Sequence, residues 1–467
     1  MEEIHKRTYD IAENIDRAFK WSKLQDDEIT TSSVGNALKS LQRSITTIDR
    51  AIQKRPSIAI FGQSQVGKSY LVQNLAKPSD EKFLKIDAGK NKSVNFLTEM
   101  NPDGGQESTG LVTRFTTENL KPSKTHPFNI ELFGQLDMAA ILINSYWSDL
   151  KDYNDEFSTE KFEEIKFNLN AIKKDKVFND IEDYDIYYFV NYVSENFKDK
   201  YLIKRLNQIG FFKDLQNILN YIPYDKRWRV LEALWGENTF ITELFKLLSK
   251  GIFTMNFSRK VNVSIDALAP NNSTILDVER VRELFDNDVS HKKVDVLIED
   301  GDTAQIDRSI FSILTKEVCL KLSNSFKESE ERSFMNYSDL LDFPGSKSRE
   351  KMPLSVFNNN TSKQKLQLLI RGKVSYLVDP YTNNLGVATL LYCMDDNPPE
   401  EKEAPSRLYK WVRRYVGENK DERSRKLQKT LEIIQSQDAE VNVVSPLLVV
   451  LTKFNQEINS VIPGKET

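Results

Sequence analysis

The chain has 467 residues, of which 39% are hydrophobic and 29% charged, and it carries a net charge of −4. This composition excludes a disordered or fibrous chain and leaves a globular protein with room for two to four domains of about 100–200 residues each. The near-neutral balance gives no basic footprint, so nucleic acid is not an expected partner, and two cysteines (Cys319 and Cys393) make neither a disulfide framework nor a zinc site.

That cysteine usage fits a reducing cytoplasm. There is no apolar signal core at the N-terminus and no run of about 18 apolar residues. Peripheral membrane contact stays an open expectation without a sequence feature behind it. His5, His126 and His291 are far apart in sequence and point to no histidine-based site.

The first elements are helical. Residues 3–22 predict one helix and residues 30–53 a second. In the second, Val34, Ala37, Leu38, Leu41, Ile45, Ile48 and Ile52 recur at three- and four-residue steps, a single apolar stripe. Thr30, Thr31 and Ser32 are its N-cap candidates. The stripe fits ordinary core packing and a partner interface equally well. Residues 1–56 thus read as a helical arm, a natural place for a protein partner or self-association.

Residues 57–61, "SIAIF", form a short β-branched run that predicts a buried strand. After it come Gly62, Gln63, Ser64, Gln65, Val66, Gly67, Lys68, Ser69 and Tyr70, and then an amphipathic stretch. Phosphates carry dense negative charge. Consecutive backbone N–H groups closed by glycines can wrap them, and the positive end of the following helix points at them. Lys68 would reach the terminal phosphates and the Ser69 hydroxyl would ligate Mg2+. By average residue frequencies, a chance match to this spacing in a chain this long is on the order of 1%.

Next is the glycine-rich stretch 101–119, leading into Gly110-Leu111-Val112-Thr113-Arg114. A nucleotide switch needs a loop that orders around a γ-phosphate and its metal. Thr113 is the preferred metal-side hydroxyl, with Thr109 and Thr116 as rivals. "FNIELFG" (128–134) alternates and predicts a second strand. Residues 57–135 read as the first part of a nucleotide-binding domain.

From about 136 to 258 the composition turns to Asp, Asn, Lys, Phe and Tyr with helical runs, and predicts an inserted α-helical block. Strand-like runs return at 260–268 and 293–299, followed by a predicted helix at about 304–322. "YSDLLDF" (337–343), "VATLLYCM" (387–394) and "SPLLVVLT" (445–452) are apolar across their width, as parallel strands covered on both faces would be. Residues 259–467 read as the second part of the same domain. Residues 397–426 read as a solvated loop and helix.

Two strand ends in this second part carry chemistry. Asp342-Phe343-Pro344-Gly345 offers a carboxylate that can hold the water on Mg2+, and Gly345 can give its N–H to a γ-phosphate. Thr452-Lys453-Phe454-Asn455 places a lysine where it can lie along a nucleotide base.

These four segments, in this order, resemble the dynamin superfamily of large GTPases. The resemblance implies an α/β fold of the P-loop NTPase, GTPase type: a mainly parallel sheet with helices on both faces, here with the helical arm and a large insertion. It implies a nucleoside triphosphate, GTP or ATP, with Mg2+ as cofactor. It also implies roles for Lys68, Thr113 and Asp342 in catalysis, for Ser69, Thr113 and Asp342 at the metal, and for Thr452, Lys453 and Asn455 at the base. The texture of 101–116 and of "RGKVSYLVDPYT" (371–382) resembles bacterial virulence factors of the SrfC type over most of the chain.

The chain departs from the GTPase pattern at several points. Asn455 stands where guanine recognition uses aspartate, and a mismatched polar pair costs about 1–3 kcal/mol. The glutamine and serine of the dynamin phosphate loop are displaced by one position, at Gln63 and Ser64, and Ser346 follows Gly345 where a glutamine would sit. "FNIELFG" and "YSDLLDF" are the expected sheet partners, with the insertion between them. Only 12 residues follow Asn455, which leads to the expectation of a longer parent protein. Two other readings stand beside the GTPase: an ATPase using Asp395 and Asp396, and a non-hydrolysing nucleotide sensor in a virulence or defence complex.

Overall fold

The computed structural model describes residues 2–25, 33–63, 66–90, 92–100, 110–120, 123, 125–172, 174–268, 275–276, 278–286, 292–323, 326, 332–345, 351–357, 362–383, 385–394, 404–435 and 445–452. Two helices, α1 (Glu2–Gln25) and α2 (Ser33–Ile52), open the chain and pack on each other. β1 (Ser57–Gly62) leads into α3 (Lys68–Ala76). A two-stranded pair, β2 (Lys85–Asp87) and β3 (Ser93–Asn95), precedes β4 (Val112–Thr116) and β5 (Phe128–Leu132).

The helical block follows as α4 (Gln135–Asp149), α5 (Thr159–Asn170), α6 (Asp183–Asn196), α7 (Tyr201–Gln208), α8 (Phe211–Ile218), α9 (Trp228–Leu231) and α10 (Thr239–Thr254). Next come β6 (Lys260–Val263), α11 (Ile265–Leu268), α12 (Glu279–Arg282), β7 (Lys293–Ile298), β8 (Thr303–Asp307), α13 (Arg308–Leu314), β9 (Thr315–Lys321) and β10 (Asp339–Asp342). The chain ends its described course with α14 (Ser362–Asn383), β11 (Thr389–Met394), α15 (Ala404–Tyr415), α16 (Lys420–Gln435) and β12 (Leu447–Leu451).

Among the described residues ten strands form one sheet, in the order β12-β11-β1-β10-β4-β9-β5-β6-β7-β8. β12, β11, β1 and β10 run parallel. Beyond β10 the pairing is antiparallel except for β4 with β9. The sheet is therefore mixed, and the expectation of a mainly parallel sheet holds only for the half that contains β1.

Three further expectations are corrected. β5 does not pair with β10. Its neighbours are β9 and β6, and it is β4 that lies against β10, with Thr113 opposite Asp342. The helix predicted over 304–322 is instead β8, the short α13 and β9. The Asp300-Gly301-Asp302 turn folds β8 back on β7, with the Ile298 N–H donating to the Asp302 carbonyl at 2.9 Å. β9 carries Val318 and Leu320, both fully buried, into the slot between β4 and β5. Finally, among the described residues β12 is not covered on both faces: Val449 and Leu451 are about three-fifths exposed.

The helical block shares its core with the sheet. α4 is buried almost throughout, with Gln135, Asn144 and Ser145 among its buried residues, as expected of a helix inside a domain. α14 lies against it at very close range, with Gly372 beside Ser145. Ser145 Oγ donates to the carbonyls of Ile141 and Leu368, both at 3.1 Å. Arg227 is fully buried and grips Asp180 through two hydrogen bonds of 2.5 and 2.7 Å and Gln135 Oε1 at 2.8 Å. A buried cation held by a carboxylate and further acceptors is tolerable, whereas an unpaired one is not.

Candidate functional site

β1 ends against β11 so closely that a Cβ on Gly62 would lie 2.4 Å from the Cys393 carbonyl oxygen. Glycine is required there by close approach. Gly67, with φ +92°, takes the left-handed conformation at the start of α3. Val66 between them is buried. Ser64 and Gln65 lie outside the described residues.

Lys68 opens α3 and is itself buried. Its Nζ folds back to donate to the carbonyls of Gly62 at 3.2 Å and Gln63 at 2.6 Å. Burial lowers its pKa, against the pull of the nearby Asp342 carboxylate and the Cys393 thiol. Two of three ammonium donors are thus engaged, and both bonds are to loop carbonyls that a stronger acceptor could replace.

Asp342 closes β10, the strand beside β1. Ser69 Oγ reaches its Oδ2 at 3.5 Å, the long limit of a hydrogen bond. Its Oδ1 is shielded from water and has no hydrogen-bond partner. Burial pushes its pKa up to about 6, although Lys68 and Ser69 pull the other way. The Gln63 Nε2 donor is likewise buried without a partner. Buried polar atoms without a hydrogen-bond partner call for an explanation, a bound ion or water among them.

Thr113 lies on β4 in register with Asp342. Paired residues of neighbouring strands share a sheet face, so Thr113 stands on the same side as the carboxylate. It is set in a strand, not in a loop. Thr116 is three residues further along β4 and buried. After Asp342 the Phe343 N–H donates to the Ile60 carbonyl at 3.1 Å, and its ring meets Tyr381 edge-on at 5.0 Å. The turn that carries Gly345 is anchored by those two contacts. Thr452 caps the end of β12, donating twice to the Met394 carbonyl, and a Cβ on Gly67 would sit 3.9 Å from its own Cβ. Tyr70 is 70% exposed on the rim. Thr109, Asp395, Asp396, Lys453 and Asn455 lie outside the described residues.

Sequence reasoning missed the network behind this site. Arg114, next to Thr113, donates to Glu317 Oε1 at 2.6 Å and Oε2 at 3.2 Å, and its Nη1 donates at 2.9 Å to both Asp339 and Ser57. Tyr381 of α14 donates to the same Glu317. Burial works against the Arg114 charge, but Glu317, Tyr381 and Asp339 keep its pKa above the ordinary arginine value. The network ties β1, β4, β9 and β10 together beneath the carboxylate. An arginine inside the apolar run "LVTRF" was a signal that a buried acid had to exist, though not where.

A cation, a hydroxyl and a carboxylate with a spare acceptor thus meet at a helix N-terminus and at the C-terminal ends of parallel strands. Ligands of open α/β sheets gather at such strand ends, and helix N-termini suit anions. Among the described residues no group of three or more His, Cys, Asp and Glu could hold a metal by itself. A divalent cation held there would be of the kind that takes one or two protein ligands, waters and substrate oxygens.

The sequence matches the protein family described as "Putative bacterial virulence factor" over residues 23–445. The chain belongs to that family. The match takes in the Gly62–Ser69 loop, Thr113, Arg114, Asp342 and α14, so the whole cluster and its supporting network fall within the virulence-factor family region. It stops short of β12, and Thr452, Lys453 and Asn455 lie beyond it. No curated protein matches the chain. Among the described residues no helix is long and apolar enough to cross a membrane.

Proposed function

We propose that this member of the virulence-factor family binds a nucleoside triphosphate with Mg2+ and hydrolyses its γ-phosphate, in the manner of a dynamin-like P-loop GTPase. The observation that supports it is the convergence of Lys68, Ser69, Asp342 and Thr113 around one loop, together with the strand order β4-β10-β1-β11-β12. That order sets β10, which ends in Asp342, beside β1, which leads into the Gly62–Ser69 loop, with β12 two strands from β1, beyond β11.

Lys68 would exchange its loop carbonyls for phosphate oxygens and hold the terminal phosphates by charge-assisted bonds. Backbone N–H groups around Gly67 and the positive end of α3 would take the remaining oxygens. Ser69 and the free Oδ1 of Asp342 fit a Mg2+ ion, held directly or through its waters, with Thr113 as the third oxygen. The bound ion would supply charge that offsets the γ-phosphate as water attacks. Gly345 would offer its N–H to the γ-phosphate. The base is left to Thr452, Lys453 and Asn455, and Asn455 narrows the gap between GTP and ATP.

Titration of the chain with fluorescent GTP and ATP analogues in Mg2+, alongside Lys68→Ala, tests the reading. The expected result is saturable binding by the wild type and a loss of at least about 100-fold in the variant, since a charged partner in a buried site contributes several kcal/mol. Unchanged affinity in Lys68→Ala would sink it. Phosphate release at background with intact binding would convert the enzyme into a nucleotide sensor.

A further inference from the structure

Successive residues of a strand face opposite sides of the sheet. Arg114 pairs with Leu341 across β4 and β10, so it turns away from the side that Thr113 and Asp342 share. Phe343 follows Asp342 and keeps the ladder going through its bond to the Ile60 carbonyl, so it turns the same way as Arg114. Tyr381, near the end of α14, reaches both. Its hydroxyl donates to Glu317 Oε2, the oxygen that Arg114 Nη2 holds only at 3.2 Å. Its ring lies edge-on to Phe343, with centroids 5.0 Å apart.

The tyrosine is itself fixed. The Gly386 N–H donates to its carbonyl at 2.9 Å, and a Cβ on Gly386 would come within 3.1 Å of its Cδ1. Two turns earlier in α14, Val374 lies against Gly110, where a Cβ would fall 3.1 Å from Val374 Cγ2. The helix therefore touches the segment that leads into Thr113 and the segment that leaves Asp342. A phenylalanine at 381 would fill the same space and spare the chain a buried hydroxyl, which is costly unless it is bonded. Burial and the Glu317 carboxylate hold the Tyr381 pKa well above the ordinary tyrosine value, so the hydroxyl keeps the proton that it donates.

We propose that Tyr381 is a positioning residue for the reaction: from behind the sheet it holds β4 through Glu317 and Arg114, holds the end of β10 through Phe343, and so fixes the separation of Thr113 and Asp342. The inference rests on the reading of the site as one for Mg2+ and a nucleoside triphosphate. Groups that share one ion must keep their places within about 0.5 Å, which requires support behind the residues that touch it. The Arg114 network ties the strands together, and Tyr381 joins that network to the segment after Asp342.

Tyr381→Phe tests it, because the ring stays and only the bond to Glu317 is lost; Phe343→Leu removes the ring contact from the other side. Hydrogen–deuterium exchange of the ligand-free chain is the first readout. Both variants are expected to exchange faster in peptides covering β4 and β10, with α10 unchanged. Turnover is the second. Both variants keep the wild-type affinity for fluorescent nucleotide in EDTA, and kcat with Mg2+ falls by about tenfold, since small misplacements of reacting groups are costly. Exchange that is unchanged, or that rises equally everywhere, overturns the proposal. So does an unchanged kcat in Tyr381→Phe, or a loss that lies in affinity alone. A wild type that neither binds nor turns over nucleotide overturns the functional reading instead. Exchange then decides alone whether Tyr381 holds the two strands.

Discussion

Asp342 is held in a state that favours its proton. Burial raises its pKa above the ordinary aspartate value to about 6, so the fold favours the neutral acid below that pH. A raised acid pKa contributes stability below the unfolded value, and that contribution is lost as pH rises through about 6. At pH 7.5 the charged carboxylate is then a burden that the ligand-free protein carries. Two pKa units correspond to about 2.7 kcal/mol, and partial solvent contact reduces this to roughly 1–2 kcal/mol. Asp342→Asn keeps the shape without the charge, so without Mg2+ and nucleotide it melts above the wild type at pH 7.5. The gap closes as pH falls toward 4, and the same variant binds Mg2+-nucleotide more weakly. Melting curves at several pH values check this; an Asn variant no more stable at pH 7.5 contradicts it. At this scale the meeting of Lys68 with Gly62 and Gln63 was legible, because these residues lie within eight positions of one another. Glu317, Asp339 and Tyr381 were not, since they meet Arg114 only through long-range sheet pairing.

At the scale of elements, α14 explains why "RGKVSYLVDPYT" stood out. Gly372 lets α14 touch α4, Lys373 is buried with its Nζ donating to the Ser312 carbonyl at 3.0 Å, and Tyr376 donates to Asp137 at 2.6 Å. Helix propensity alone says that Gly372→Ala stabilises by about 0.5–1 kcal/mol. The added Cβ, however, would fall 2.1 Å from Ser145 Oγ and 2.7 Å from the Ile141 carbonyl oxygen. The second atom is backbone and cannot turn aside. Overpacking costs about 1–3 kcal/mol, so the net effect is destabilising. Chemical denaturation should show a lower midpoint with an unchanged slope, and a stabilised variant would mean that the two helices can part. Strands β1, β10 and β11 were legible as apolar runs beside chemical motifs. β8 and β9 were not, because an alternating run broken by the short α13 reads like one helix. The pairing of β10 with β4 was also hidden, as two short strands before the helical block compete for one edge.

At the scale of the molecule, the chain reads in sequence as a domain interrupted by helices, yet those helices hold up its centre. α4 presses on α14; Tyr376 of α14 reaches Asp137 and packs edge-on to Tyr192 of α6 at 5.4 Å. β6, just beyond the block, pairs with β5, just before it. Long insertions cost little chain entropy when they sit on a surface loop, but removing this one would bare the apolar side of α14. Uncovering a large apolar side chain costs about 1.5–3 kcal/mol, and a domain has only about 5–15 kcal/mol to lose. Leu368, Leu369, Tyr376 and Leu377 are all buried along α14. Losing cover over even a few of them exhausts that margin. The full chain is therefore expected to unfold with α4 and the sheet in one calorimetric transition. A chain with residues 136–258 replaced by a flexible linker should be insoluble or lack a cooperative melt. A soluble deletion variant with its own sharp transition, still binding nucleotide, would show that the sheet stands without α4 and that α14 finds its cover elsewhere.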